Sequence, residues 1–202
     1  KKERILKSRY EVTEKLVETL KKLKHPPKTF INAWAVGYYG DQGSVVVNES
    51  SPPKEGLFIS EVCEHWERSS RNLEETGVRV VQSRFGMVLS SGGGALPKIL
   101  IPFKLGLGGT IESGHQYLSW VAIDDVIGAL YHIMMTPSIS GPVNVSSPNP
   151  VTNAVFAKKL ASYLKRWIGL PVPEFFIRIL MGQKGEELLL TSTRVEPKVL
   201  ID

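Results

Sequence analysis

Apolar residues recur every three or four positions at the start of the chain and then gather into short runs broken by polar turns, which sets the order of elements. In "KKERILKSRYEVTEKLVETLKKLK", Val12, Leu16, Val17, Leu20 and Leu23 form a stripe at helical spacing. The sequence opens inside this helix, which reads as the remainder of something longer. "TFINAWAV" (29–36) is a buried strand, and the polar loop "NESSPPKEG" leads to a helix over about 57–75 with Ile59, Val62, Cys63 and Trp66 on its inner face. "VRVVQSRF" (78–85) is rich in β-branched residues and predicts a strand, followed by the glycine turn "SSGGGALP" and a helix around 95–105. After the loop "GLGGTIESGHQYLSWVAI", Asp124 caps a helix to about Met135, "PVNVS" is a short strand, and Thr152 caps a helix to about Arg166. Strand and helix alternating at these lengths predict a parallel sheet with crossover helices.

Composition narrows the classes without choosing among them. At 202 residues, 42% hydrophobic and 22% charged, the chain can bury one sizeable core or two small ones. The net charge of +5 owes much to "KKLKHPPK" (21–28), where no aromatics interleave with the lysines, so a solvated face is expected and a nucleic-acid partner is not. The single cysteine, Cys63, excludes an internal disulfide and fits a reducing compartment. No apolar run approaches the roughly 20 residues of a membrane span and no signal peptide opens the chain. The expectation is a cytoplasmic protein with no membrane partner. The 4 histidines show no ligand spacing, so no metal site is expected.

"GYYGDQG" (37–43) has the spacing Gly-x-x-Gly-x-x-Gly directly after a strand. A phosphate loop needs a helix N-terminus behind its glycines, but "SVVVNESSPP" follows, and Tyr38 and Tyr39 would crowd a pyrophosphate. The spacing therefore arises by chance.

The stretch instead resembles the end of the active-site strand in extended short-chain dehydrogenase/reductases. The similarity extends over nearly the whole chain, through "SRYEVTEKLVETL", "GYYG", "FISEVCEHWE", "RFGMVLSSGGGALPKILIPFKLGLGG", "GHQYLSWVAIDD", "GPVNVSSPNPVTNAVFAKKL" and "EELLLTSTRVEPKVL". These ordered motifs are similar to those of the atypical "epimerase family" branch, described as NAD(P)-dependent nucleoside-diphosphate-sugar epimerases. The resemblance implies the C-terminal part of a Rossmann-like doubly wound α/β sheet, with a small C-terminal substrate or cap region. It places a partial dinucleotide-binding domain at 1–145, with cap elements near 88–120, and the cap region at 146–202. The family's "TGxxGxxG" loop, which binds the cofactor's pyrophosphate, has no counterpart in this sequence.

The resemblance also implies the site. NADP is the expected cofactor, NAD less so, with Arg84, Gly86 and Val88 lining its edge. His115, Gln116 and Trp120 are expected to meet a small-molecule substrate, and Tyr39 to donate a proton. Counted back from Glu67, the family's catalytic Tyr and Lys fall on Ile59 and Cys63, neither of which can exchange the proton that accompanies hydride transfer. Asn32 and Trp34 replace small hydroxyl residues. An oxidoreductase or epimerase on a nucleotide-sugar or other small polar substrate and a non-catalytic NADP(H) sensor both stay open, as does a homodimer. Glu61 and Glu64, one helical turn apart, read as solvated acids.

Overall fold

The computed structural model describes residues 2–173, 175 and 190–202; the side chains of 2–10 and 59 are outside what is described. Its elements run α1 (Lys2–Lys21), β1 (Thr29–Ala35), β2 (Val46–Val47), α2 (Phe58–Arg71), β3 (Arg79–Phe85), β4 (Met87–Ser90), β5 (Gly93–Gly94), α3 (Ala95–Lys104), β6 (Tyr117–Leu118), β7 (Trp120–Ala122), α4 (Ile123–Met135), β8 (Gly141–Val145), β9 (Val151–Thr152), α5 (Asn153–Tyr163), β10 (Arg194–Val195) and α6 (Lys198–Ile201).

Three strands form the parallel sheet β1-β3-β8, with Thr29 opposite Arg79, Ala35 opposite Phe85, and Phe85 opposite Val145. Both of its faces are covered, as near-continuous apolar strands require. Phe30 and Val80 pack under α1 with Val17 and Leu20 and with Leu73 just past α2, while Ile31, Val81, Val143 and Val145 pack with Val126 and Ile133 of α4. Burying side chains such as Val81 and Ile133, which have no exposed surface, contributes about 1.5–3 kcal/mol apiece. This is the doubly wound α/β arrangement.

The α1 stripe is only partly the one expected. Val12, Leu16 and Leu23 are exposed, and the inward seam is Thr13, Val17 and Leu20. Thr13 is buried because its hydroxyl accepts the Trp66 indole N–H at 2.6 Å. Trp66 in turn meets Trp34 of β1 with ring centroids 4.4 Å apart, so Trp34 fills the space between sheet and α2.

Two further departures concern helix and strand boundaries. Asp124 does not cap α4: Ala122 holds that position without a side-chain hydrogen bond, and Asp124 and Asp125 sit in the first turn, where their charge suits the helix N-terminus. Thr152 does cap α5, accepting from the Val155 N–H. The segment expected as a loop before α4 contains β6, antiparallel to β9, and β7, which pairs in parallel with β4. Both strands are too short to show periodicity. Among the described residues no helix is long and apolar enough to cross a membrane.

Candidate functional site

At the carboxyl end of β1 the chain turns through a short 3-10 segment, Val36–Tyr39, and leaves it at Gly40 with φ 62. A Cβ at Gly40 would lie 2.6 Å from Leu57 Cδ1 and 2.7 Å from Lys54 Cβ, so this glycine serves both the left-handed backbone and a close approach. Extended chain and β2 follow, with no helix behind the glycines. "GYYG" is a turn that delivers two tyrosines into the core.

Tyr39 has no exposed surface. Its hydroxyl donates to Asn144 Oδ1 at 2.8 Å and accepts from Arg84 Nη1 at 2.8 Å. Arg84, also buried, donates from Nε to Glu67 Oε1 at 2.7 Å and from Nη2 to Glu67 Oε2 at 2.8 Å, and its guanidinium carbon lies 3.7 Å from the Tyr38 ring centre. Asn144 Nδ2 continues the chain to the Glu196 carbonyl. One network thus ties α2, β3, β8 and the C-terminal segment to the "GYYG" turn. Burial pushes the Tyr39 phenol up to about 12, against the opposing pull of Arg84, so it stays protonated. Burial also works against the Arg84 charge, but the Glu67 carboxylate and Tyr39 overcome it and the guanidinium stands above its ordinary pKa.

The residues expected along a cofactor edge are therefore engaged inside the protein. Arg84 is held by Glu67 and Tyr39. Gly86 lets β4 approach β7: a Cβ there would lie 2.7 Å from the Ser119 carbonyl oxygen. Val88 stands opposite Val121 and packs on the core under α4. Tyr39, expected as a proton donor, is enclosed with both hydrogen-bonding roles filled. Cys63 is buried against Tyr38, Tyr39, Val47 and Val195. Glu64 forms an exposed pair with Arg68 at 2.9 Å, and Glu61 is exposed.

Open space lies next to this network. A cleft of about 450 Å³ is lined by Asp41, Gly43, Ser44, Glu112, Ser113, His115, Gln116, Leu190 and Ser192. Of the three residues expected to meet a substrate, His115 and Gln116 line this cleft and Trp120 does not; its Nε1 is buried without a hydrogen-bond partner. The cleft is built by three segments. The loop after "GYYG" supplies Asp41, whose carboxylate accepts the Gly43 N–H at 2.9 Å. The loop before β6 supplies Glu112 to Gln116, with Gln116 Nε2 donating to the Ile111 carbonyl. Ser192 joins the two, donating to the Gly43 carbonyl and accepting from the Tyr117 N–H at 3.0 Å. Thr193 Oγ1 adds a bond to the Gly40 carbonyl, and Ser119 Oγ one to the Thr193 carbonyl.

Asp41, Ser192, Asn144 and Glu67 were not singled out for these roles from sequence. Polar residues inside apolar strands, Arg84 in "VRVVQSRF" and Asn144 in "PVNVS", were the available signal, since such groups persist in a core only when paired. Of the "EELLLTSTRVEPKVL" motif, residues 186–189 lie outside the described residues.

The described residues do not fit a dinucleotide's pyrophosphate. No glycine loop opens a helix toward the cleft, and its described lining offers two carboxylates, Asp41 and Glu112, with no lysine or arginine. Among the described residues no group of three or more His, Cys, Asp or Glu could hold a metal ion. What the cleft offers is carboxylate, hydroxyl, amide and imidazole groups suited to a small polar molecule.

Comparison with known proteins supplies the family. A family model described as a domain of unknown function, DUF1731, matches residues 172–202. Epimerase family protein YfhF of Bacillus subtilis is 38% identical over 200 residues, 99% of this chain and 65% of that protein. The crystal structure of human epimerase family protein SDR39U1 (isoform2) with NADPH is similar at a TM-score of 0.93 and 34% identity, covering 99% of this chain and 68% of that one. The nucleoside-diphosphate sugar epimerase from Corynebacterium glutamicum is similar at a TM-score of 0.81 and 34% identity, covering 98% of this chain and 39% of that one. The chain thus spans about two thirds of the length of YfhF and of human SDR39U1. With 34% identity to human SDR39U1, 68% of that chain covered and a shared Rossmann-like α/β fold, the chain belongs to the epimerase family of the extended short-chain dehydrogenase/reductases.

Proposed function

We propose that the full-length protein is an NADP(H)-dependent oxidoreductase or epimerase-like enzyme, with NAD(H) less favoured, acting on a nucleotide-sugar or other small polar substrate. The observation that carries this reading is the polar cleft beside the carboxyl end of β1, where ligands bind in open α/β sheets. The NADPH in the human SDR39U1 structure supports the choice of cofactor. The 1–145 region is read as a partial dinucleotide-binding domain, with cap elements near 88–120, and 146–202 as the cap region; the β6–β9 pairing supports grouping the cap segments.

In this reading His115 and Gln116 hold and orient the substrate, and the His115 imidazole is the group placed to move a proton. Tyr39 and Arg84 act as positioning residues for the loop carrying Asp41 and Gly43. Ile59 and Cys63 supply no Tyr–Lys pair.

A second reading, a non-catalytic NADP(H) sensor on a retained fold, is favoured by the burial of Cys63 where the family's lysine would stand. Calorimetry with NADPH and NADH, followed by a screen of sugar nucleotides and carbonyl compounds monitored by NADPH absorbance, separates the two. Turnover supports the enzyme; nucleotide binding with no turnover on any compound supports the sensor; absence of binding removes both.

A further inference from the structure

Large apolar side chains stand in water on α3, on α5 and on the segments that follow each of them. Trp167 is 93% exposed and Leu170 is 87% exposed, and Ile101, Leu105, Leu107 and Tyr163 are also exposed. They belong to one surface. Phe103 of α3 packs on Ala157 and Ala161 of α5, and the Gly169 N–H donates to the Gly108 carbonyl at 2.6 Å. Residues 168–172 then run beside 107–112, closed by Val172 N–H to the Thr110 carbonyl at 2.7 Å. The same surface carries exposed Lys98, Lys104, Lys158, Lys159, Lys165 and Arg166. No Asp or Glu occurs anywhere in 85–111 or 126–173.

We propose that this surface docks on an anionic lipid bilayer. An exposed apolar patch of this kind marks an interaction site, and its charge selects the partner. Six cations, with Glu112 and Glu174 the nearest carboxylates along the chain, are attracted to an anionic leaflet and would hold the apolar groups at the headgroup boundary. Tyr163 and Trp167 have the amphipathic rings that settle there, and lysine stems can lie along apolar surface while their ammonium groups stay in water. The composition argues against the other occupants. Tyr163 and Trp167 could stack on a base, but Ile101, Leu105, Leu107 and Leu170 are aliphatic and offer no plane for one, whereas single-strand nucleic acid binding uses successive stacking rings. A two-fold dimer through this face would set the cations against their own copies. This peripheral contact goes beyond the expectation of no membrane partner, which rests on the lack of a spanning run, and the cations and apolar groups that would make it are gathered from separate segments.

Sedimentation of the full-length protein with phosphatidylserine–phosphatidylcholine vesicles tests the proposal, with phosphatidylcholine vesicles alone as the reference. Binding is expected to the anionic vesicles only and to weaken as salt rises. Lys158→Glu with Lys159→Glu is expected to weaken it on the order of tenfold or more. Trp167→Ala is expected to weaken it and to remove the blue shift of tryptophan emission on vesicle addition. These positions are exposed, so circular dichroism should be unchanged. Absence of sedimentation, sedimentation insensitive to the charge reversal, tighter binding to an oligonucleotide than to vesicles, or dimerisation that buries Trp167 would each overturn the proposal.

Discussion

Arg84 and Glu67 meet in the core through two parallel hydrogen bonds, Nε to Oε1 at 2.7 Å and Nη2 to Oε2 at 2.8 Å. Arg71 at the end of α2 approaches the same carboxylate at 3.8 Å from the solvent side. A buried pair gains little over an apolar pair of the same shape, but removing one partner strands a charge in a low dielectric. Glu67→Ala should therefore destabilise the protein by about 3–5 kcal/mol. Replacing both residues, Glu67→Leu with Arg84→Met, should cost clearly less than Glu67→Ala alone. Urea unfolding midpoints of the full-length variants decide it; a Glu67→Ala loss below about 1 kcal/mol would show that the pair is not desolvated as the geometry requires.

What was legible in the sequence follows from the range of the interactions involved. The sheet strands and the larger helices declare themselves through period and β-branching, which are local. The "GYYG" turn declares itself through Gly40, whose backbone φ of 62 is also a local demand. The network is not local: Tyr39 and Asn144 are 105 positions apart, and Arg84 meets them only because β3 lies between β1 and β8. Arg84 could thus be read equally as a ligand contact or as a core residue, and the strand order places its side chain in the core. The cleft shows the converse, since His115 and Gln116 were legible as exposed polar loop residues, but Ser192 joins them from 75 positions beyond Tyr117.

Tyr39→Phe keeps the ring and removes the oxygen between Asn144 and Arg84. Leaving Asn144 Oδ1 and Arg84 Nη1 without this partner should cost about 1–3 kcal/mol. A pH dependence accompanies it. The folded phenol is raised above its ordinary 10.0 to about 12, so folding favours the protonated form. That contribution, roughly 2–3 kcal/mol, is fully present below pH 10 and is lost as pH rises toward 12. Unfolding free energies across this window should fall more steeply for the wild type than for Tyr39→Phe; parallel curves would show that Tyr39 does not titrate with folding.

Gly86 separates packing from cofactor contact. An alanine Cβ would lie 2.7 Å from the Ser119 oxygen and 3.0 Å from its carbon, both backbone, so β4 and β7 must move apart. Overpacking of this kind should lower stability by about 1–3 kcal/mol. Because the strain is internal, Gly86→Ala should lower the Tm equally with and without NADPH. A loss confined to the NADPH-bound protein would return Gly86 to the cofactor edge.

The cleft gives the prediction most directly tied to activity. His115 is exposed, and its backbone N–H donates to Ser113 Oγ at 3.4 Å, so the loop's shape does not depend on the imidazole. His115→Ala should leave the urea midpoint within about 0.5 kcal/mol of wild type, as for other surface substitutions. If the imidazole moves a proton in turnover, kcat should fall by about 10²- to 10⁴-fold and the pH profile should lose one limb. If it only orients the substrate, KM should rise with kcat kept and the profile unchanged. Gln116→Ala is the control within the same loop: its Nε2 holds the Ile111 carbonyl at 3.2 Å, so its loss should raise KM through loop position without altering the pH profile. Unchanged kcat and KM for both variants would remove the cleft from the reaction and move turnover to another part of the protein.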